Sequence, residues 1–255
     1  MRTCGTWPIE SRYLMGYTIS LMTTQAELPL RKHASPHKEL ARRYKSHFAQ
    51  KDYRVAAVGS FLFFLASIFA SLLAGHFATE VASNPVSDIV LSNTPAFHVG
   101  NLFVYGTFLL VVFMFGITTA HPRRIPFIFL SLGMLFFIRA GFVSLTHIAA
   151  FPERAVSDFS FTMRKYFFGN DLFFSGHTGA PFLMALVFWH DRRLRFAFLA
   201  WSIFFAFVVL MGHLHYSIDV ASAFFITYSV FCLTEWLFPE YRALFYSDAI
   251  EEERA

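Results

Sequence analysis

Six long apolar runs divide this sequence and constrain its fold more than any other feature. They cover residues 55–77, 99–120, 126–149, 172–189, 196–211 and 218–237. A helix of about 20 apolar residues crosses the hydrocarbon core of a bilayer, so we interpret all six runs as transmembrane helices. The composition agrees, because 15% of the residues are charged, whereas soluble domains carry about a quarter. The sequence therefore predicts an all-α polytopic membrane protein built as a six-helix bundle.

The distribution of positive charge predicts the orientation of this bundle. The fourth and fifth runs are short, and a buried helix is the alternative for both, but Arg192, Arg193 and Arg195 between them indicate a cytoplasmic loop. With both termini in the cytoplasm, seventeen of the 21 Lys and Arg residues lie inside and three outside. The connections on the outer side then span 78–98, 150–171 and 212–217.

This topology divides the chain into three parts. Residues 1–54 form a basic cytoplasmic segment, residues 55–238 form the six-span membrane domain, and residues 239–255 form a cytoplasmic tail. The basic stretch at 31–54 predicts either a helix on an anionic lipid surface or a solvated helix that only fixes topology. We expect no cleaved signal peptide.

Several classes of protein are excluded. Cys4 and Cys232 are the only cysteines, so the chain is not a disulfide scaffold. No nucleic-acid-binding pattern is present, and we expect no nucleic acid partner. The start of the mature chain is open between Met1 and Met22.

Polar residues concentrate where the fourth run begins and where the fifth meets the sixth. Residues 171–179 read Asp-Leu-Phe-Phe-Ser-Gly-His-Thr-Gly, and residues 211–219 read Met-Gly-His-Leu-His-Tyr-Ser-Ile-Asp. Together they supply three histidines and two carboxylates, all on the predicted outer face. Ionisable groups are costly near hydrocarbon, so this cluster is a candidate site.

The spacing within each stretch predicts acid–base and phosphate chemistry. His215 and Asp219 are four residues apart, so they share one face of a helical turn, where the carboxylate can hold one imidazole nitrogen and leave the other as a nucleophile. Ser175, Gly176 and His177 begin the fourth helix, where free N–H groups attract phosphate and a histidine can protonate a leaving oxygen. Each pattern alone is more often a helix cap or a chance match. Their shared side of the membrane makes the combination informative.

At these residues the sequence resembles the sphingomyelin synthase family, a branch of the type 2 phosphatidic acid phosphatase superfamily. The family motifs read roughly Cys-Gly-Asp-x-x-x-Ser-Gly-His-Thr and Ala-His-Asp/Glu-His-Tyr-Thr-x-Asp-Val, and they match residues 171–178 and 213–220. Arg139, followed by Thr146, is similar to the arginine-led third span of the family. The resemblance implies six spans with an active site at the outer face.

The resemblance also implies a role for each candidate residue. His215 would attack phosphorus, Asp219 would orient it, and His177 would protonate the leaving group. The other candidates would bind substrate, namely Arg139, Asp171, Ser175, Gly176 and His213. No metal and no organic cofactor is implied.

The implied reaction moves a phospho-head group through a phosphohistidine-type intermediate. The donor would be a phospholipid, and the acceptor a lipid hydroxyl such as that of ceramide or diacylglycerol. With water as acceptor, the same residues would make a lipid-phosphate phosphatase. A non-enzymatic haem- or metal-binding membrane protein using His177, His213 and His215 is a remote alternative, because haem ligands usually face each other within spans.

The chain departs from the family pattern at several positions. Leu214 stands where the synthases carry an acidic residue associated with head-group choice, so we expect weak recognition of a choline or ethanolamine cation. The phosphate clamps of the wider superfamily, Lys-x6-Arg-Pro and Ser-Arg-x5-His, are absent. Short loops and compact length suit a bacterial inner membrane with the site facing the periplasm.

Two groups of charges near the candidate site have open interpretations. Arg139 lies about 15 Å inside the predicted outer boundary, so it should face the bundle interior, either binding phosphate or pairing with a buried carboxylate. Charged residues also mark the loop after the third span, and we interpret them as solvated, with head-group steering as the alternative. They are Glu153, Arg154, Asp158, Arg164 and Lys165.

Overall fold

The computed structural model describes residues 36–154 and 171–252. These residues form eight α-helices: α1 Pro36–Ala49, α2 Lys51–Glu80, α3 Gly100–Ala120, α4 Ile125–Leu145, α5 Gly176–Val187, α6 Arg192–Met211, α7 Ser217–Leu237 and α8 Pro239–Glu252. The described part of the chain contains no strand, so the predicted all-α fold is confirmed. Asp158, Arg164, Lys165, Met1 and Met22 lie outside the described residues.

Among the described residues, five helical segments are long and apolar enough to cross a membrane. They are Lys51–Glu80, Gly100–Ala120, Pro122–Leu145, Arg192–Met211 and Ser217–Leu237. Large apolar side chains on these helices are exposed, for example Phe108 at 69% and Phe225 at 76%. Such surfaces suit hydrocarbon and not water, so the helices indicate an integral membrane protein.

The fourth predicted span is shorter than the sequence suggests. Residues 172–189 yield only α5, twelve residues long and therefore about 18 Å. The expected sixth full-length helix is thus absent from the described residues. Most of α5 is buried, because α4, α6 and α7 pack around it.

Helices α2, α4 and α6 finish at one end of the bundle, and α3, α5 and α7 start there. We call this end the site end, and the site lies below it. Gly176, the first residue of α5, lies beside Arg139. Arg139 precedes the last residue of α4, Leu145, by six positions, or about 9 Å. Helix α5 therefore starts inside the bundle, and this recess explains why it is short.

Helix α8, which lies in the segment predicted as a cytoplasmic tail, packs against the opposite end of the bundle. Helix α8 packs back on the bundle, and Phe245 is 3% exposed, with its ring 5.6 Å from that of Phe127. Arg242 contacts the buried Glu235 at 3.0 Å. The start of the tail is therefore part of the bundle core.

The basic stretch before the first span forms α1 and the start of α2. Helix α1 is largely exposed, and its Tyr44 hydroxyl donates a 2.9 Å hydrogen bond to the carbonyl of Thr119. The first long helix starts at Lys51, four residues before the predicted span. The contact with α3 holds α1 against the end of the bundle opposite the site.

Candidate active site

The two predicted motifs lie next to each other at the site end. The backbone N–H of Ser175, just before α5, donates a 3.1 Å hydrogen bond to the carbonyl of Asp219 in the first turn of α7. The Ser175 hydroxyl caps α5, accepting from the N–H of Thr178 at 3.4 Å and from its hydroxyl at 3.2 Å. Ser175 is fully buried, so its hydroxyl serves as a helix cap.

His215 and Asp219 form a close pair. The Nδ1 of His215 lies 3.5 Å from Oδ2 of Asp219, and both side chains are buried. The same oxygen accepts a 2.9 Å hydrogen bond from the backbone N–H of Tyr216, so Asp219 also caps α7. A carboxylate beside Nδ1 favours the tautomer with the proton on that nitrogen, which leaves Nε2 as the basic atom. Contacts of this kind are often long before substrate binds.

His177 lies in the first turn of α5 between two phenylalanines. Its ring centroid is 4.4 Å from that of Phe103 and 5.7 Å from that of Phe205. It interacts electrostatically with His215 and with Asp171. The aromatic rings thus hold a second histidine within the same polar cluster.

Arg139 organises the loop that precedes α5. Its Nε donates to the Phe174 carbonyl at 2.7 Å, and its terminal nitrogens donate to the Asp171 carbonyl at 2.5 Å and carboxylate at 3.2 Å. A Cβ at Gly176 would lie 3.3 Å from Nε of Arg139, so glycine allows the guanidinium to cross the start of α5. Of the two interpretations of Arg139, pairing with a carboxylate is the one present in the structure.

Asp171 remains negatively charged in this pair. Its side chain is 43% exposed, whereas that of Arg139 is 8% exposed. Burial alone would raise the pKa of the Asp171 carboxyl, but Arg139, His215 and His177 lower this pKa below its ordinary value. Asp171 therefore offsets the charge of Arg139 at neutral pH.

His213 lies in the turn between α6 and α7 with a left-handed backbone, φ 51°. It is 1% exposed, and its ring is 5.3 Å from that of Phe151, edge to face. Among the described residues, neither of its ring nitrogens has a hydrogen-bond partner. A substrate-binding role for His213 stays a prediction.

Leu214 directs its side chain into the apolar core. It is 3% exposed and belongs to the same buried cluster as Val99. Its backbone carbonyl, in contrast, accepts a 3.3 Å hydrogen bond from the Arg154 guanidinium. The side chain at 214 therefore packs in the core, and a carboxylate introduced there would be buried among apolar groups at a large cost.

Asp88, in the connection between α2 and α3, supports the site without belonging to any motif. It is 7% exposed. One carboxylate oxygen accepts from the N–H groups of Val90 at 2.8 Å and Leu91 at 3.1 Å, and the other accepts from that of Ser217 at 2.7 Å. Because Ser217 is the first residue of α7, Asp88 holds the helix that carries Asp219.

Tyr216, the residue before α7, provides a second set of contacts that fix the start of this helix. Its hydroxyl donates to the carbonyl of Ala149 at 2.8 Å and accepts from the N–H of Val86 at 3.3 Å. The segment after α4 and the connection between α2 and α3 therefore both contact Tyr216, the residue that follows His215. The position of the histidine depends on these distant segments as well as on its own helix.

Removing the Asp88 carboxylate is expected to destabilise the start of α7. Asp88→Ala should lower the free energy of unfolding by about 1–2 kcal/mol, the usual cost of a lost helix cap. Burial alone would raise the pKa of Asp88, but hydrogen bonds from Ser217, Leu91 and Val90 lower this pKa below its ordinary value. Its stabilising effect should therefore be complete above the unfolded-state pKa, ~4, and disappear as the pH falls through the lower folded-state pKa.

The check is unfolding of detergent-solubilised wild type and Asp88→Ala across a pH series. Asp52→Ala, which removes an exposed acid at the opposite end of α2, is the control and should change little. A wild-type advantage that persists unchanged at the most acid pH would contradict the role of the Asp88 charge.

The cluster contains the groups that phosphoryl transfer through a histidine requires. A buried imidazole with a carboxylate at one nitrogen can act as nucleophile, and a second histidine nearby can move the proton. Within the described ranges, no group of three or more His, Cys, Asp and Glu side chains is arranged to hold a metal ion.

Comparison with known families agrees with this interpretation of the site. Residues 169–237 match the family model described as PAP2 superfamily C-terminal. This segment begins just before Asp171 and ends with α7, so it contains both motifs. No curated protein and no solved structure matches the chain. The match supports the type 2 phosphatidic acid phosphatase superfamily.

Proposed function

We propose that this protein is an integral membrane lipid phosphotransferase, similar to sphingomyelin synthases. The observation that carries the proposal is the pairing of His215 with Asp219 beside the Ser175–His177 segment, joined by the hydrogen bond from Ser175 to Asp219. Membership of the segment 169–237 in a PAP2-type family supports chemistry on phosphoesters. The sphingomyelin synthase branch rests on the sequence resemblance alone.

The proposed reaction has two steps. In the first, Nε2 of His215 attacks phosphorus, the bond from phosphorus to the leaving oxygen breaks, and His177 donates its proton to that oxygen. In the second, a lipid hydroxyl attacks the phosphohistidine, the phosphorus–nitrogen bond breaks, and His177 takes up the hydroxyl proton.

A lateral groove supports a lipid substrate. It lies between α3 and α6 and is lined by His98, Asn101, Leu102, Tyr105, Gly106, Leu109, Trp201 and Phe204. Phe103 and Phe205, which contact His177, are sequence neighbours of this lining. An acyl chain in the groove would enter from the bilayer with its head group near the histidines.

Purified protein with a phospholipid labelled in its head-group phosphate would test the proposal. Transfer of label to ceramide or diacylglycerol supports a phosphotransferase, whereas release of labelled phosphate or phospho-head group to water supports the alternative, a lipid-phosphate phosphatase. Neither product from any lipid phosphoester would contradict both. The residues of the cluster are compatible with either acceptor.

We further propose that the site end faces the outer side, which is the periplasm in a bacterial inner membrane. In a background without Cys4 and Cys232, a cysteine at the exposed Ser92 is expected to react with an impermeant thiol reagent added to intact cells. A cysteine at Leu194, beside the arginines of α6, should react only after permeabilisation. The reverse pattern would place the site in the cytoplasm.

A further inference from the structure

The groove between α3 and α6 has a polar rim and an apolar floor. His98 and Asn101 form the rim, where α3 starts at the site end, and Leu102, Leu109 and Phe204 line the part below it. From Asn101 to Leu109 the groove extends about 12 Å along α3. A lipid has the same order of parts, because a polar linkage joins its head group to each acyl chain. The groove therefore matches one acyl chain with its linkage at the rim.

The residues on both sides of His98 hold the rim against the second motif. The backbone N–H of Phe97 donates a 2.8 Å hydrogen bond to the carbonyl of Met211. Gly212 lies directly against Val99, whose side chain a Cβ at position 212 would overlap. Met211 and Gly212 immediately precede the histidines of the second motif. A head group above the rim would therefore lie beside the proposed reacting groups.

Gly106 connects the floor of the groove to His177. It is buried, and it lies about 8 Å along α3 from Asn101. A Cβ at Gly106 would be 3.1 Å from Cε1 of Phe204 and 3.4 Å from Cζ of Phe205. The ring of Phe205 in turn contacts that of His177, with the centroids 5.7 Å apart. A larger residue here would fill the groove or displace Phe204 into it.

We propose that the groove binds one acyl chain of the lipid substrate and that Gly106 determines how long a chain the enzyme accepts. The inference rests on the proposed function, because it concerns which lipids reach the histidines. A chain that continues past Gly106 needs the space beside this glycine, whereas a shorter chain ends above it. Leu102 and Leu109 are 50% and 56% exposed, so the groove opens to the bilayer above and below Gly106.

A second apolar groove provides a matched control. It lies between α2 and α4, and Ala74, Ala140 and Gly141 contribute to its lining. Gly141 follows Arg139 by two residues, which corresponds to about 200° around α4. This groove therefore lies on the side of α4 away from Arg139 and the loop before α5. Among the described residues, a Cβ at Gly141 would meet no atom within 4 Å, so a substitution there is accommodated.

The test compares turnover of the dipalmitoyl and dihexanoyl forms of one phospholipid in mixed detergent micelles. Gly106→Leu is expected to lower kcat/KM for the dipalmitoyl form about 10- to 100-fold relative to the dihexanoyl form, because a long chain would overlap the new side chain as in an overpacked core. Gly106→Ala should change this ratio in the same direction by a smaller factor. Gly141→Leu should keep the wild-type ratio.

Photo-cross-linking measures binding of the same lipid without turnover. The probe is the phospholipid with a diazirine at the end of one palmitoyl chain, and mass spectrometry locates the labelled residues. Wild type should be labelled mainly around Leu109, in α3 and the facing part of α6. Gly106→Leu should lose most of this label while it unfolds at the wild-type temperature. Where Gly106→Leu does not fold, Gly106→Ala replaces it in both measurements.

Three results would overturn the inference. They are a wild-type chain-length ratio in the Gly106 variants, equal labelling of the two grooves in wild type, and a Gly106 variant that changes oligomeric state but not the ratio. The last result would make the groove an interface between copies of the chain. Label that depends on Gly106, in a protein that neither transfers nor hydrolyses any lipid phosphoester, would refute the proposed function and leave the groove as a lipid site.

Discussion

His215→Ala is expected to abolish turnover, with a loss on the order of 10⁴-fold or more, because it removes the proposed nucleophile. The neighbouring carboxylate gives a graded comparison. Asp219→Asn retains an oxygen that can accept from the N–H of Tyr216, so the cap of α7 can persist while the negative charge beside Nδ1 is lost. We expect a smaller defect than in His215→Ala, although a wrong tautomer can itself cost up to about 10⁴-fold.

The measurement is head-group transfer or hydrolysis by purified variants, with unfolding followed in parallel. His76→Ala, which removes an exposed histidine of α2 near the same end of the bundle, is the matched control and should retain most activity. Wild type incubated with labelled donor should also carry an acid-labile phosphate that His215→Ala lacks. Normal turnover by His215→Ala would refute the nucleophile assignment.

The helices of this fold follow closely from the apolar runs. The runs at 99–120 and 218–237 correspond within one residue to α3 and α7, because uninterrupted apolar sequence must satisfy its backbone hydrogen bonds within a helix. The prediction that residues 172–189 form a full span is wrong for a physical reason. An apolar sequence indicates only that a segment is shielded from water. Helix α5 is shielded by the surrounding helices as well as by lipid, so hydropathy does not show at what depth α5 starts.

One contact within the candidate site could be predicted from the sequence, and another could not. His215 and Asp219 pair because they are one helical turn apart, which is local geometry. The Ser175 hydroxyl caps α5, a contact that its motif alone does not reveal, and its substrate-binding role stays a prediction. A helix start attracts both phosphate and capping side chains, and sequence alone does not distinguish the two.

The supporting residues depend on contacts that no sequence pattern marks. Asp88 precedes its partner Ser217 by 129 positions, and Arg154 precedes Leu214 by 60. Both lie in connections that composition alone assigns to a solvated surface. Only the packing of these connections against the start of α7 brings a carboxylate and a guanidinium to residues of the second motif.

Arg139 provides the clearest test of how the loop before α5 is held. Arg139→Met removes three hydrogen bonds from one loop, and we expect it to lower the free energy of unfolding by about 3 kcal/mol. Asp171→Asn removes the opposite charge but keeps an acceptor on a half-exposed side chain, so its cost should be about 1 kcal/mol. Activity should fall more than 10²-fold in Arg139→Met, since small displacements of a reacting group have effects of this size.

The comparison between these two variants decides which contact matters. Arg139 donates to backbone carbonyls as well as to the carboxylate, so its role as a tether predicts that Arg139→Met is much the more damaging change. If the ion pair were the main contribution, the two single variants would be equally unstable, and the double variant would be no worse than either. Detergent-solubilised protein unfolded with increasing denaturant, with turnover measured on the same preparations, would distinguish the cases. Equal destabilisation by Arg139→Met and Asp171→Asn would show that charge, and not the backbone contacts, positions the start of α5 beside His215.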